Sequence, residues 1–172
     1  MAGTWARAGA RERSAAIGAA PLDARNLRRQ VLAVLHEVVE FDAYVWLLTD
    51  PVTAVGAAPL ADVPCMTELP ALIKAKYATP VNRWTVLQLQ TSPIGLLSDA
   101  VGGELARSRL WREMLSRYGI GDVASAAFAD QFGCWGFLDL CRDDTREPFS
   151  GVDAEFIASG QRRQHPGPLG HG

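Results

Sequence analysis

The chain has 172 residues, 48% of them hydrophobic and 21% charged, which is the composition of one ordinary globular domain with a single core. No window approaches the roughly 18 uninterrupted apolar residues of a membrane span, because Glu40, Asp42 and Asp50 break even the most apolar region. The net charge of −2 conceals six arginines in residues 1–30, whereas residues 31–155 carry nine basic against seventeen acidic side chains, so the body lacks the clustered Lys and Arg of a phosphate-gripping groove.

Residues 1–21 are rich in Ala and Arg without the continuous apolar segment of a secretory signal, and are expected to be a flexible basic leader. Asp23 then stands as an N-cap before Leu27, Val31, Leu35 and Val38 at helical spacing, which predicts an amphipathic helix ending near Glu40. FDAYVWLLT, residues 41–49, concentrates aromatic and branched residues over a strand length, and Asp50-Pro51 ends it. Residues 52–60 can return as a second strand, bent or stopped by Gly56 and Pro59.

A short covering helix is expected within residues 66–80, with Leu69, Leu72, Ile73 and Tyr77 on one side. NRWTVLQLQ, residues 82–90, alternates and predicts another strand, and residues 91–103 predict a loop with partial helical character. Residues 104–118 carry Leu110, Trp111, Met114, Leu115 and Tyr118 as one apolar stripe, the pattern of a helix, and Gly119 sits where a left-handed C-terminal cap is wanted. Two strands, 122–129 and 134–141, pair as an antiparallel hairpin, and residues 149–159 begin a last helix. Residues 160–172 are rich in Gly, Pro and Arg and are expected to be a disordered tail.

The densest stretch is FGCWGFLDLCRD, residues 132–143. Alternation puts Trp135, Phe137, Asp139 and Cys141 on one face and Cys134, Gly136, Leu138 and Leu140 on the other, so the two cysteines cannot converge on a metal. Cys65, Cys134 and Cys141 read as buried reduced thiols of a cytoplasmic protein. His36 has no cysteine or serine beside it, and His165 and His171 fall in the tail, so no nucleophile has its base. No catalytic residue, metal ligand or cofactor is therefore assigned. Asp139 among aromatics has no second carboxylate at a defined spacing and favours a structural or ligand-contact role over acid–base work.

The order of these elements, with the segments FDAYVWLLTDP, KYATPVNRW, SRLWREMLSRYGIGDVAS and FGCWGFLDLCRD, resembles a GAF-like N-terminal sensor domain of actinobacterial LuxR-type helix-turn-helix regulators. The resemblance covers residues 22–159. It implies an α+β fold, an antiparallel sheet of five or six strands with flanking helices, and sensing rather than catalysis. After residue 159 the sequence departs from the family pattern, and sequence-specific DNA binding by this chain is not inherited.

Three readings follow. In the first, an unidentified small-molecule ligand sits in a pocket drawing on Tyr44, Trp46, Trp84, Trp111, Trp135, Phe137 and Asp139. In the second, the chain is a protein-interaction module or a non-functional remnant; Leu27, Val31, Leu35 and Val38 would then be partly exposed in a monomer and buried in a homodimer. In the third, an enzyme uses Cys141 or Cys134 as nucleophile, which predicts a thiol pKa well below about 8.5 and rapid alkylation.

Overall fold

The computed structural model describes residues 7–10 and 23–161. Two eleven-residue strands, β4 (Ile120–Asp130) and β5 (Gly133–Asp143), pair antiparallel as the hairpin their alternation predicts. Strand β1 (Ala43–Thr49) joins the other edge of β5, β2 (Gly56–Asp62) follows β1, and the three-residue β3 (Ile94–Leu96) closes the far edge on β4. The sheet order is β2-β1-β5-β4-β3, five strands and antiparallel throughout. With its flanking helices this is the expected α+β, GAF-like architecture.

Two compact units divide the described residues, one drawn from those up to Glu40 and from Glu155 onward, the other being Phe41–Ala154. In the first, helix α1 (Ala24–Val38) starts where Asp23 caps it: the carboxylate accepts the Asn26 amide at 2.9 Å. Val31, Leu32, Leu35 and Val38 are buried along its stripe, as are Phe156 and Ile157 near the end of the last helix, α6 (Gly151–Gln161). The basic leader and the tail lie outside the described residues.

The second unit holds the whole sheet. Helix α2 (Leu69–Ala78) has Pro70 in its first turn, where the missing amide proton costs nothing. One-turn helices α3 (Trp84–Leu87) and α4 (Leu97–Ala100) follow, then α5 (Arg109–Glu113) between two 3-10 turns, Leu105–Arg107 and Leu115–Tyr118. Asp122 of β4 is 1% exposed and fully engaged: its carboxylate accepts from the Ser98 amide and hydroxyl and from the amides of Val123 and Phe149, all within 2.9 Å.

Four expectations need correction. Residues 82–90 are not a strand: Trp84 and Leu87, three apart, are 1% and 2% exposed while Val86 and Leu89 face out, and that spacing belongs to a helical turn. Residues 91–103 contain β3, too short to leave a periodic trace. The helix expected over 104–118 is broken. Ser108 accepts the Trp111 amide and restarts it, Met114 at φ −131° and ψ −63° stops it, and a 3-10 turn leads to Gly119, which does take the left-handed φ of 68°.

The fourth correction concerns the faces of β5. Ala129 pairs with Cys134 but Phe128 with Gly136, so Trp135 is the extra residue of a β-bulge. The bulge reverses the alternation at the tip and puts Cys134 on the Phe137 face, packed with Leu47, Trp84 and Ala127. Cys134 and Cys141 therefore share a face, and what keeps them from converging is roughly 20 Å of strand between them.

Candidate functional site

Three strands present a row of side chains on one face of the sheet. Val45 of β1 pairs with Asp139 of β5, which pairs with Ser125 of β4. Helix α2 contributes Lys76, one turn beyond Leu72 on the same stripe. Its ammonium donates to the Ser125 hydroxyl at 2.9 Å and to the Asn82 carbonyl at 3.3 Å, and lies 3.4 Å from the Asp139 carboxylate. Lys76, Ser125 and Asp139 are 5%, 1% and 5% exposed, so this is an ion pair inside the unit and not at its rim.

Aromatic side chains support the pair from one side. The Trp84 indole donates to the other Asp139 oxygen at 2.9 Å, and its ring lies 5.5 Å from the Lys76 ammonium. Trp84 stacks on Phe137 at 5.2 Å and 8°, and Tyr77 meets both rings edge-on while donating to the Ala54 carbonyl at 3.0 Å. The stacked rings fix the indole, and the indole fixes the carboxylate. Burial pushes the Tyr77 hydroxyl above its ordinary value, keeping it a neutral donor.

Beside the pair lies a cavity of about 30 Å³, room for a water or two. Its apolar wall is built from Val45, Leu72, Leu97, Leu110, Leu115 and Val123, and its polar wall from Lys76, Thr79, Asn82, Ser108, Ser125 and Asp139. Asn82 takes a left-handed φ of 48°, and its carboxamide lies across Gly95, where a Cβ would stand 2.3 Å from Asn82 Oδ1. The Asn82 Nδ2 is buried and has no hydrogen-bond partner among the described residues. Cys141 also lines the cavity, and burial followed by the Asp139 carboxylate raises its thiol far above its ordinary value.

Of the seven residues expected around a pocket, Asp139 lines the cavity, Trp84 holds Asp139, and Phe137 holds Trp84. Trp46 lies on the other face of the sheet, stacked on Phe128 at 5.3 Å, and Tyr44, two residues before it, meets Phe41 edge-on. Trp111 donates to the Ile120 carbonyl at 2.8 Å and packs against the cluster around Leu115, and Trp135 is the bulge residue. In α1, Val31, Leu35 and Val38 are 3%, 6% and 6% exposed and Leu27 is half-buried.

Lys76, Asn82 and Ser125 were not anticipated. A signal for Lys76 was present: it falls at the i+4 position from Leu72 and the i+3 position from Ile73, where the apolar stripe continues. A cation on the buried stripe of one element and an anion alternating into the buried face of another are a pair waiting for each other. Asn82 and Ser125 left no such trace.

Among the described residues no group of three or more His, Cys, Asp or Glu side chains is placed to hold a metal ion, and no helix is long and apolar enough to cross a membrane. His165 and His171 lie outside the described residues.

No family model and no curated protein matches the sequence. Solved structures do match in fold. SdiA of Escherichia coli, in complex with octanoyl-rac-glycerol, superimposes with a TM-score of 0.63 at 15% identity over 95% of this chain and 66% of that one. A second SdiA structure gives a TM-score of 0.59 at 13% identity over 90% of this chain and 64% of SdiA, so the chain spans slightly less than two thirds of SdiA's length. The ligand-binding domain of VqsR from Pseudomonas aeruginosa gives 0.56 at 13% identity, over 91% of this chain and 96% of that one. The GAF domain/HD domain protein of Geobacter sulfurreducens gives 0.52 at 14% identity, over 84% and 92%. At these identities the likeness establishes the GAF-like fold and no more.

Proposed function

We propose that this chain is a ligand-sensing regulatory domain without enzymatic activity, of the kind found in LuxR-type transcriptional regulators of actinobacteria, acting in the cytoplasm. The observation that carries the reading is the cavity between the sheet and its covering segments, apolar on one wall and polar on the other. A buried Lys–Asp pair adds little to stability compared with apolar residues of the same size, and a role in reading a ligand accounts for its presence there. The domain itself makes no sequence-specific contact with DNA in this reading.

A ligand larger than the cavity enters by displacing Leu110 and Leu115, which sit on the broken helix between residues 105 and 118. That segment is held by two short 3-10 turns and one five-residue helix, so few backbone hydrogen bonds resist its movement.

Thermal denaturation against a panel of small amphipathic molecules tests the proposal. Octanoyl-glycerol, bound in the SdiA complex, and N-acylhomoserine lactones, on which the similarly folded CepR2 of Burkholderia cenocepacia depends, are the first probes. A ligand present at about a hundred times its dissociation constant adds about 2.7 kcal/mol to stability. No shift with any chemical class of ligand would remove the sensing reading.

A further inference from the structure

Asp122 holds two separate parts of the chain with one carboxylate. Its Oδ1 accepts the amides of Ser98 and Val123, each at 2.9 Å, and its Oδ2 accepts the Ser98 hydroxyl at 2.8 Å and the Phe149 amide at 2.9 Å. Ser98 stands in the single turn of α4, directly after Leu97 of the cavity wall. Phe149 lies just before α6 begins.

Arg142, which pairs with Asp122 across the β4–β5 hairpin, grips the same stretch before α6. Its guanidinium donates to the carbonyls of Glu147 and Pro148 at 3.2 Å and lies 4.2 Å from the centre of the Phe149 ring and 3.4 Å from the Asp153 carboxylate. Ser150 and Asp153 cap the helix reciprocally, the Ser150 amide donating to the Asp153 carboxylate at 2.8 Å and the Asp153 amide to the Ser150 hydroxyl oxygen at 3.2 Å. The root of α6 is thus tied to the sheet by two neighbouring side chains, and one of them also anchors α4.

A carboxylate that is 1% exposed is stable only while its oxygens are supplied with donors. If Ser98 leaves, Oδ2 keeps the Phe149 amide alone, and the buried charge gains by opening towards water. If Phe149 leaves, water reaches the oxygen that the Ser98 hydroxyl shares and competes for it. We infer that Asp122 makes α4 and residues 147–154 open as one unit, so that displacing Leu97 in the cavity wall loosens the root of α6. The use of this coupling to report on a filled cavity rests on the sensing proposal above; the coupling itself does not.

Native-state hydrogen exchange of the whole chain in increasing urea, resolved by residue, tests it without a ligand. In the wild type the amides of Ser98 and Phe149 are expected to share one opening free energy and one urea dependence, both smaller than those of the β4–β5 ladder. Leu97→Ala leaves every donor to Asp122 in place and cheapens the opening of α4, so it should speed exchange of the Phe149 amide at least tenfold. Arg142→Met, which loosens the other end, should speed exchange of the Ser98 amide by about tenfold, because coupling is reciprocal. Amides of α2 that exchange by their own local opening should keep their rates in both variants.

Different urea dependences for Ser98 and Phe149 in the wild type overturn the inference, and so does exchange of both only with the ladder. A folded Leu97→Ala that speeds exchange in α4 and leaves Phe149 unchanged overturns it as well; if neither variant folds, the wild-type rates decide. Each of these failures leaves the sensing proposal to its own thermal test.

Discussion

Replacing Lys76 by Met tests the buried pair most directly. The substitution keeps the length of the side chain and removes the charge from a position 5% exposed. At 3.4 Å and an effective dielectric of about 20, the attraction lost is about 5 kcal/mol, an order-of-magnitude figure. Among the described residues, Asp139 would then keep only the Trp84 indole as a partner while still shielded from water, and Ser125 would lose its Lys76 donor. One-sided removal of a buried pair of this kind costs about 3–5 kcal/mol. Urea denaturation followed by tryptophan fluorescence measures it, since Trp84 touches the altered carboxylate. The double variant Lys76→Met/Asp139→Leu should recover much of the loss, falling short by about 1–2 kcal/mol for the indole left without an acceptor. A single variant costing less than about 1 kcal/mol, or a double variant less stable than the single, would refute the assignment of a desolvated pair.

Gly95→Ala is expected to destabilise by about 1–3 kcal/mol, because the new methyl would stand 2.3 Å from Asn82 Oδ1 and push the carboxamide out of the cavity wall; adding Asn82→Gly to it should relieve part of the cost in the same denaturation assay. Burial raises the thiols of Cys65 and Cys134, and burial with the Asp139 carboxylate raises that of Cys141, so a thiol reagent at about pH 8 should label native protein slowly and urea-unfolded protein at once. A fast native phase would contradict this and revive the cysteine-nucleophile reading. The Tyr118 hydroxyl, and then the Arg117 guanidinium, hold the Glu68 carboxyl below its ordinary value of 4.5. Its contribution to stability is therefore fully present above about pH 4.5 and is lost as pH falls through the lower folded-state value. The urea midpoints of wild type and Glu68→Gln should converge between about pH 6 and about pH 3, and a gap that widens on acidification would contradict the sign.

Legibility in the sequence followed the length and regularity of each element. Helix α1 and the β4–β5 hairpin repeat a single period over many residues, and both lie where their patterns place them. Residues 82–90 failed because the alternation of Trp84, Val86 and Gln88 mimics a strand, whereas the tertiary demand to bury Trp84 beside Asp139 decides for a helical turn. The broken helix over 104–118 has a helical stripe throughout, and only local hydrogen bonding at Ser108 and the backbone of Met114 interrupts it. The β-bulge at Trp135 is invisible to any fixed period, since its effect is to shift the period by one.

In the site, Asp139 stood out because a carboxylate in an apolar run has to be answered somewhere. Its answer, Lys76, lies 63 positions earlier in the chain, and charge patterning within one element does not reach that far. Ser125 and Asn82 are small polar residues of the sort that occupy turns and strand ends everywhere, and only their place around the cavity distinguishes them.

Asp139 sits on the middle strand of five, with β1 and β4 on either side. Binding sites carried on loops diversify by exchanging or lengthening those loops while the scaffold stays intact. In the proposed reading, the ion pair that faces a ligand belongs to the scaffold, with Lys76 on α2 and Asp139 on β5, so exchanging a loop leaves it unchanged. A change of preference has to pass through a less stable intermediate or alter positions 76 and 139 together, so descendants with new ligands should carry paired substitutions in the core and leave the surface largely untouched.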